Sequence, residues 1–208
     1  MISLIKPKVN TFVENAVQPF SQYWNPNIIT ISTLVFSSLT LFLLSQKEFF
    51  WGSISFVFFF LDLLDGAVAR VHSKTTIFGG YLDAVCDRLS DGLLFLALGL
   101  SGAVSWPLCA ATMLGALMVS YTKSKAETAI SSKNLGTNEL SIGYAERAER
   151  LIILFIVTFI YSFTKKEFFS INILEGGVFV LLILTVLTAV MRVMKTYEVL
   201  SKNQKKKF

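Results

Sequence analysis

Cysteine and histidine are nearly absent: the 208 residues hold two cysteines and one histidine. Cys86 and Cys109 stand far apart in apolar stretches, which excludes a disulfide framework and the usual zinc-ligand spacings. Both are expected as buried free thiols. His72 has no His or Cys near it in sequence and is expected in a loop, in solvent or at headgroup level. Charge is also scarce, at 16% of residues. Basic-aromatic stripes and nucleic-acid motifs are missing. The net charge of +5 therefore points to anionic headgroups or phosphate-bearing substrates, with no nucleic-acid partner. No short apolar core followed by a small-residue cleavage site opens the chain, so no signal peptide is expected. Internal repeats are lacking.

What is present is apolar sequence. Hydrophobic residues make up 53% and the mean hydropathy is +0.61, too apolar for a soluble domain of this length. The expected fold is an all-α integral membrane protein of six transmembrane helices, preceded by an N-terminal amphipathic interfacial helix. Residues 1–25 form that segment, with Ile5, Val9, Phe12, Val13 and Val17 at near-helical spacing and Pro19 ending or bending it. Residues 26–200 form the membrane domain, with spans near 28–45, 49–71, 79–100, 105–127, 146–163 and 172–196; most approach the roughly 20 residues a crossing needs. Residues 201–208 form a basic tail, solvated or drawn to anionic lipid. Fifteen lysines and arginines fall on the side of the two termini and three, Lys47, Lys165 and Lys166, on the other. The positive-inside rule then puts both termini on the cytoplasmic face of the cell membrane.

Acids interrupt this sequence in one place. Asp62, Asp65, Asp83 and Asp87 lie between apolar runs. An Asp at mid-membrane costs about 2.5–3.5 kcal/mol, whereas each Leu, Ile, Phe or Val returns roughly 0.3–0.6. Ile54 to Val68 holds ten such apolar residues, and two central acids would cancel their gain. The acids are therefore expected near a membrane face, in a wet cavity or on a cation, and they are functional candidates. Asp62 and Asp65 are i, i+3; Asp83 and Asp87 are i, i+4; each pair shares a helix face. With antiparallel helices joined around 71–78, both pairs reach matching depths, roughly 6–12 Å from the connection at 1.5 Å per residue. Gly66 and Ala69 are small enough for helices to approach closely there. Four carboxylates converging are hard oxygen donors suited to Mg²⁺ or Mn²⁺.

A basic constellation follows: Ser120, Lys123, Lys125, then Arg147 and Arg150 on one helix face, then Arg192 near the cytoplasmic end of the last span. Two readings stand. These groups form a pocket for a phosphomonoester, with Arg as the bidentate partner, or they are positive-inside charges with Glu partners. Asn25-Pro26-Asn27-Ile28-Ile29-Thr30 also has two readings, a helix start with good capping residues or a ligand-touching element at Asn27 and Thr30.

The string Asp62-x2-Asp65-Gly66-x2-Ala69-Arg70-x8-Gly79-x3-Asp83-x3-Asp87 resembles the signature of the CDP-alcohol phosphotransferases at all eight fixed positions. The resemblance implies an enzyme that moves a lipid phosphate from a CDP-lipid to an alcohol with release of CMP, in a homodimeric membrane protein. It implies that Asp62, Asp65, Asp83 and Asp87 hold metal and that Asp87 is the general base. It further implies that Asn27, Thr30, Asp65, Gly66, Ala69, Arg70, Thr76, Gly79 and Asp83 line the CDP-lipid site. The segments Ser120-Tyr-x-Lys123-x-Lys125-Ala-Glu127 and Glu146-Arg147-x-Glu149-Arg150-Leu151 resemble the branch whose acceptor is inositol phosphate. That branch carries Arg where this chain has Lys125, which keeps the charge and loses the fork. By this likeness the acceptor is inositol 1-phosphate and the donor CDP-archaeol or CDP-diacylglycerol, with glycerol 3-phosphate as the rival acceptor. A divalent-ion channel or transporter is the reading from another class. It predicts acids at mid-membrane and openings on both faces.

Overall fold

The computed structural model describes residues 13–15, 18–19, 24–131, 146–164, 167–168 and 171–205. Apart from one hairpin of two-residue strands, the elements described are helical. Helix α1 (Pro26–Ser45) is capped by Asn25, whose side chain accepts from the Asn27 amide at 3.0 Å, and Pro26 occupies the first helical turn where no amide is needed. Helix α2 (Phe49–Ser55) runs through a 3₁₀ turn, Phe56–Phe60, into α3 (Leu61–Val71). The expected single span 49–71 is thus tightened in its middle. A 3₁₀ turn aligns residues i and i+3, and Phe56 and Phe59 accordingly both turn inward, ring centroids 5.7 Å apart.

Helix α4 (Ile77–Leu100) begins at Thr76, whose hydroxyl accepts from the Gly79 amide at 2.9 Å. Helix α5 (Trp106–Ser131) and helix α6 (Arg147–Thr164) follow. Strands β1 (Glu167–Phe168) and β2 (Ile171–Asn172) pair antiparallel as a minimal hairpin that the apolar pattern does not announce. Helix α7 (Ile173–Lys205) is longer than expected and takes in residues 201–205 of the expected tail. Glu198 supports this extension by bonding Lys195 at 3.4 Å and Lys202 at 2.6 Å, the i, i+3 and i, i+4 neighbours. Those two lysines hold the Glu198 carboxyl below its ordinary value. Of the expected N-terminal interfacial segment, residues 13–15 are helical, 18–19 form a turn and 24–25 lead into α1; the rest lies outside the described residues.

Helix α1 packs mainly on α4, and also on α2 and α3; α5 packs on α7 and α4; α6 packs on α2 and α7. The buried core runs through these contacts, with Leu44, Phe56, Leu94, Phe95, Leu98, Leu154, Leu174 and Leu181 at its centre. At Gly115 a Cβ would overlap the Thr185 hydroxyl, so the glycine sets how closely α5 meets α7. Cys86 and Cys109 are buried and in no disulfide. Among the described residues, two helical stretches, Pro26–Ser45 and Ile173–Lys202, are long and apolar enough to cross a membrane. The 3₁₀ turn divides the second expected span, and Asp83, Asp87, Arg88 and Asp91 interrupt the third.

Candidate active site

Three faces meet around α4. The N-terminus of α1 approaches that of α4: a Cβ on Gly79 would stand 2.9 Å from Thr76 Oγ1 and 3.3 Å from Asn27 Oδ1. Gly79 thus permits the close approach that brings Asn27 beside the motif. Asn27 does not cap α1; Asn25 does. Thr30 is buried and donates to the Pro26 carbonyl at 3.1 Å, which is a structural use of its hydroxyl.

Gly66 and Ala69 on α3 are half-buried. A Cβ on Gly66 would meet only the Arg70 guanidinium, at 3.1 Å, among the described residues. Among the described residues no side chain of another helix lies within 4 Å of that position. The glycine keeps the α3 surface open beneath Arg70, which suits a ligand approaching the backbone. Arg70 is exposed and donates from Nε to Glu14 Oε1 at 2.6 Å, tying the N-terminal segment to the end of α3.

Asp83 and Asp87 lie on one face of α4, both half-buried. Asp62 and Asp65 lie on α3 with side chains outside those described. Among the described residues no three His, Cys, Asp or Glu side chains gather as a metal-binding group. The same face of α4 continues to Asp91, a third acid at the next i+4 position that the sequence reading passed over. The spacing 83, 87, 91 was the available signal.

Helix α6 supplies the counter-charges. Arg147 pairs through Nη1 with Asp87 Oδ1, and its Nε lies 3.6 Å from Asp91 Oδ1. Arg150, three residues on and on the same side, donates from Nη2 to Asp91 Oδ2 at 2.5 Å. Both members of this last pair are buried. Removing one partner of such a pair leaves an uncompensated charge and costs about 3–5 kcal/mol. Arg88, beside Asp87, donates to the Ala84 carbonyl at 2.7 Å and is 3.5 Å from Asp87 Oδ2.

Arg192 on α7 completes the cationic side. It is 3% exposed, donates to the Val119 carbonyl of α5 at 2.6 Å, and meets Glu146 Oε1 at 3.2 Å. Arg150, Glu146 and Glu127 all lie within its electrostatic reach. Lys123 stands one turn beyond Val119 on the same face of α5 and is half-buried, as is Ser120. Lys125 is exposed, its Nζ 5.7 Å from the centre of the Tyr121 ring.

The structure thus draws Arg147, Arg150 and Arg192 together. Each has a protein carboxylate as partner, so the reading as charges paired with acids is seen, with Asp87 and Asp91 as partners beside Glu146. Lys125 stands apart, with its contact on Tyr121.

Residues 23–194 match the family model described as CDP-alcohol phosphatidyltransferase. The chain is 36% identical over 195 residues to the archaetidylinositol phosphate synthase of Pyrococcus horikoshii, covering 93% of this chain and 95% of that protein. It is 37% identical over 141 residues to the phosphatidylinositol phosphate synthase of Mycobacteroides abscessus, covering 63% and 60% respectively. The crystal structure of phosphatidylinositol phosphate synthase from Mycobacterium tuberculosis with CDP-DAG bound is similar at a TM-score of 0.70 and 28% identity, covering 91% of this chain and 94% of that one. The same enzyme in complex with manganese and citrate gives 0.70 and 29%, covering 90% and 88%.

Proposed function

Because the chain belongs to the CDP-alcohol phosphatidyltransferase family, we propose that it moves the lipid phosphate of CDP-archaeol or CDP-diacylglycerol onto inositol 1-phosphate, releasing CMP. The observation that supports this reading is the meeting of the α4 acids Asp87 and Asp91 with Arg147 and Arg150, an acidic edge beside a cationic one. The relatives named for archaetidylinositol phosphate and phosphatidylinositol phosphate synthesis support the choice of acceptor.

In this reading the acceptor hydroxyl attacks the phosphorus that bears the lipid. Its oxygen forms the new P–O bond, the bond to CMP breaks, and the hydroxyl proton passes to Asp87. A carboxylate is a weak base for an alcohol, so positioning contributes most of the rate. Asn27, Thr30, Gly66, Ala69, Arg70, Thr76 and Gly79 line the CDP side. Arg70 and Thr76 bind the CMP moiety. Ser120, Lys123, Arg147, Arg150 and Arg192 receive the acceptor phosphate. Lys125 has at most a peripheral part, since its charge already lies over Tyr121.

Asp62, Asp65, Asp83 and Asp87 would hold a divalent ion, Mg²⁺ or Mn²⁺. The donor set is carboxylate throughout, which fits hard cations, and a relative has been solved with manganese. When bound, the ion supplies charge neutralisation of the pyrophosphate and the departing CMP.

The remaining architecture belongs to the same proposal. Six helical crossings place both termini and the site on the cytoplasmic face, residues 1–25 lie along the interface, residues 26–200 form the membrane domain, and two chains form a homodimer. Helix α7 reaches far enough past its crossing to present Lys195 and Lys202 to anionic headgroups. An acceptor screen on purified protein tests the function. Turnover with inositol 1-phosphate is expected. Rapid turnover with glycerol 3-phosphate and none with inositol 1-phosphate would reassign the acceptor and keep the transferase.

A further inference from the structure

The three acids of α4 do not share one environment. Asp83 and Asp87 are half-buried, whereas Asp91 is 6% exposed. Asp91 lies about 6 Å further along the helix than Asp87 and outside the eight-position motif. Its two carboxylate oxygens are divided between two arginines of α6, Oδ2 with Arg150 and Oδ1 with Arg147. Arg147 in turn bridges Asp91 and Asp87.

The geometry points to Asp91 as a positioning residue for the acceptor phosphate, acting through Arg150 and Arg147; this rests on the acceptor reading proposed above. A guanidinium carries five N–H donors in a rigid plane. A carboxylate held against one edge fixes the plane that a phosphate would meet. Without such an anchor the side chain samples many rotamers, and binding must order it. Asp91 supplies the anchor to Arg150 at 2.5 Å between two buried groups. It also draws on Arg147, so that this arginine is not committed to Asp87 alone. The acid ladder is thereby divided: the Asp91 end orients the arginines, the Asp83 end faces the CDP side, and Asp87 stands between them.

Full-length protein carrying Asp91→Asn, Asp91→Glu, Arg150→Ala or Asp91→Asn with Arg150→Ala tests this. The readouts are the KM for inositol 1-phosphate, the KM for CDP-lipid, kcat and thermal unfolding. Asp91→Asn is expected to raise the acceptor KM by about tenfold or more, as for loss of a charge-assisted contact, with the CDP-lipid KM changed less than about twofold. Asp91→Glu, which keeps the charge, recovers much of that loss. In the double variant Asp91→Asn adds little to Arg150→Ala, because the two act as one unit. If Arg150→Ala raises the acceptor KM and folded Asp91→Asn does not, the pocket stands and the role given to Asp91 is wrong. If Arg150→Ala leaves the acceptor KM unchanged, the acceptor reading is wrong and this inference falls with it. If both Asp91 variants fail to fold, or both KM values rise together as the unfolding temperature drops, Asp91 is a cross-brace between α4 and α6 and the proposal is overturned.

Discussion

Arg147 of α6 sits directly on the carboxylate of Asp87 in α4. The proposed general base therefore meets a fixed positive charge before any substrate arrives. Such a pair holds the carboxylate in place, and a carboxylate is the form that accepts a proton. Asp87→Asn keeps the shape and removes that capacity. Turnover is expected to fall by about 10²-fold or more, the usual contribution of general base catalysis, while CDP-lipid binding persists. Wild-type turnover in the variant, measured by CMP release, would remove Asp87 from this role.

A metal dependence should be visible independently of the base. Asp65→Asn or Asp83→Asn is expected to abolish transfer without unfolding the protein, and excess EDTA to silence the wild type until Mg²⁺ or Mn²⁺ is restored. Full activity in EDTA would refute metal use.

Helix packing offers a test of the fold itself. A side chain at Gly115 has to displace Thr185, whose branched Cβ would stand 3.1 Å from the new atom. Gly115→Ala is expected to destabilise the α5–α7 contact by about 1–3 kcal/mol, read as a lower thermal unfolding temperature in detergent. Adding Thr185→Ala should recover part of it. An unchanged midpoint would mean that the two helices separate at little expense.

Orientation can be read chemically. A cysteine introduced beside Lys165 is expected to react with an impermeant thiol reagent added outside cells, and one beside Lys205 only after permeabilisation. The buried native thiols, Cys86 and Cys109, give a low background. The reverse pattern would put the site on the wrong face for a nucleotide-activated donor.

Much of this was legible in the sequence because it is local. Asn25-Pro26 starts α1, and the acid spacing fixes which side chains share a face. What the sequence hid is long-range or cooperative. Asp91 and Arg150 are 59 positions apart, and nothing within either segment names the other as partner. The arginines could be grouped by type, but their pairing with Asp87, Asp91 and Glu146 follows from how α4, α6 and α7 assemble. The 3₁₀ turn at Phe56–Phe60 arises from aromatic packing that an apolar run does not encode. Helix α7 extends beyond the apolar limit because Glu198 joins Lys195 and Lys202, a polar stabilisation invisible to a hydropathy reading.

The ion pairs also bear on which solutes the enzyme ignores. Arg147, Arg150 and Arg192 each face a carboxylate, so a small anion that reaches them finds the attraction of these three guanidiniums already offset. Inorganic phosphate and stray anionic headgroups have little else to offer there. A sugar-like acceptor brings a ring of hydroxyls as well as its phosphate, and so has further contacts with which to compete against the resident acids. On the acceptor reading proposed above, the cluster is expected to act as a filter against the abundant anions of the cell. Weak inhibition by millimolar inorganic phosphate is the expected mark of that filter, and strong inhibition at the same concentration would show that it does not exist.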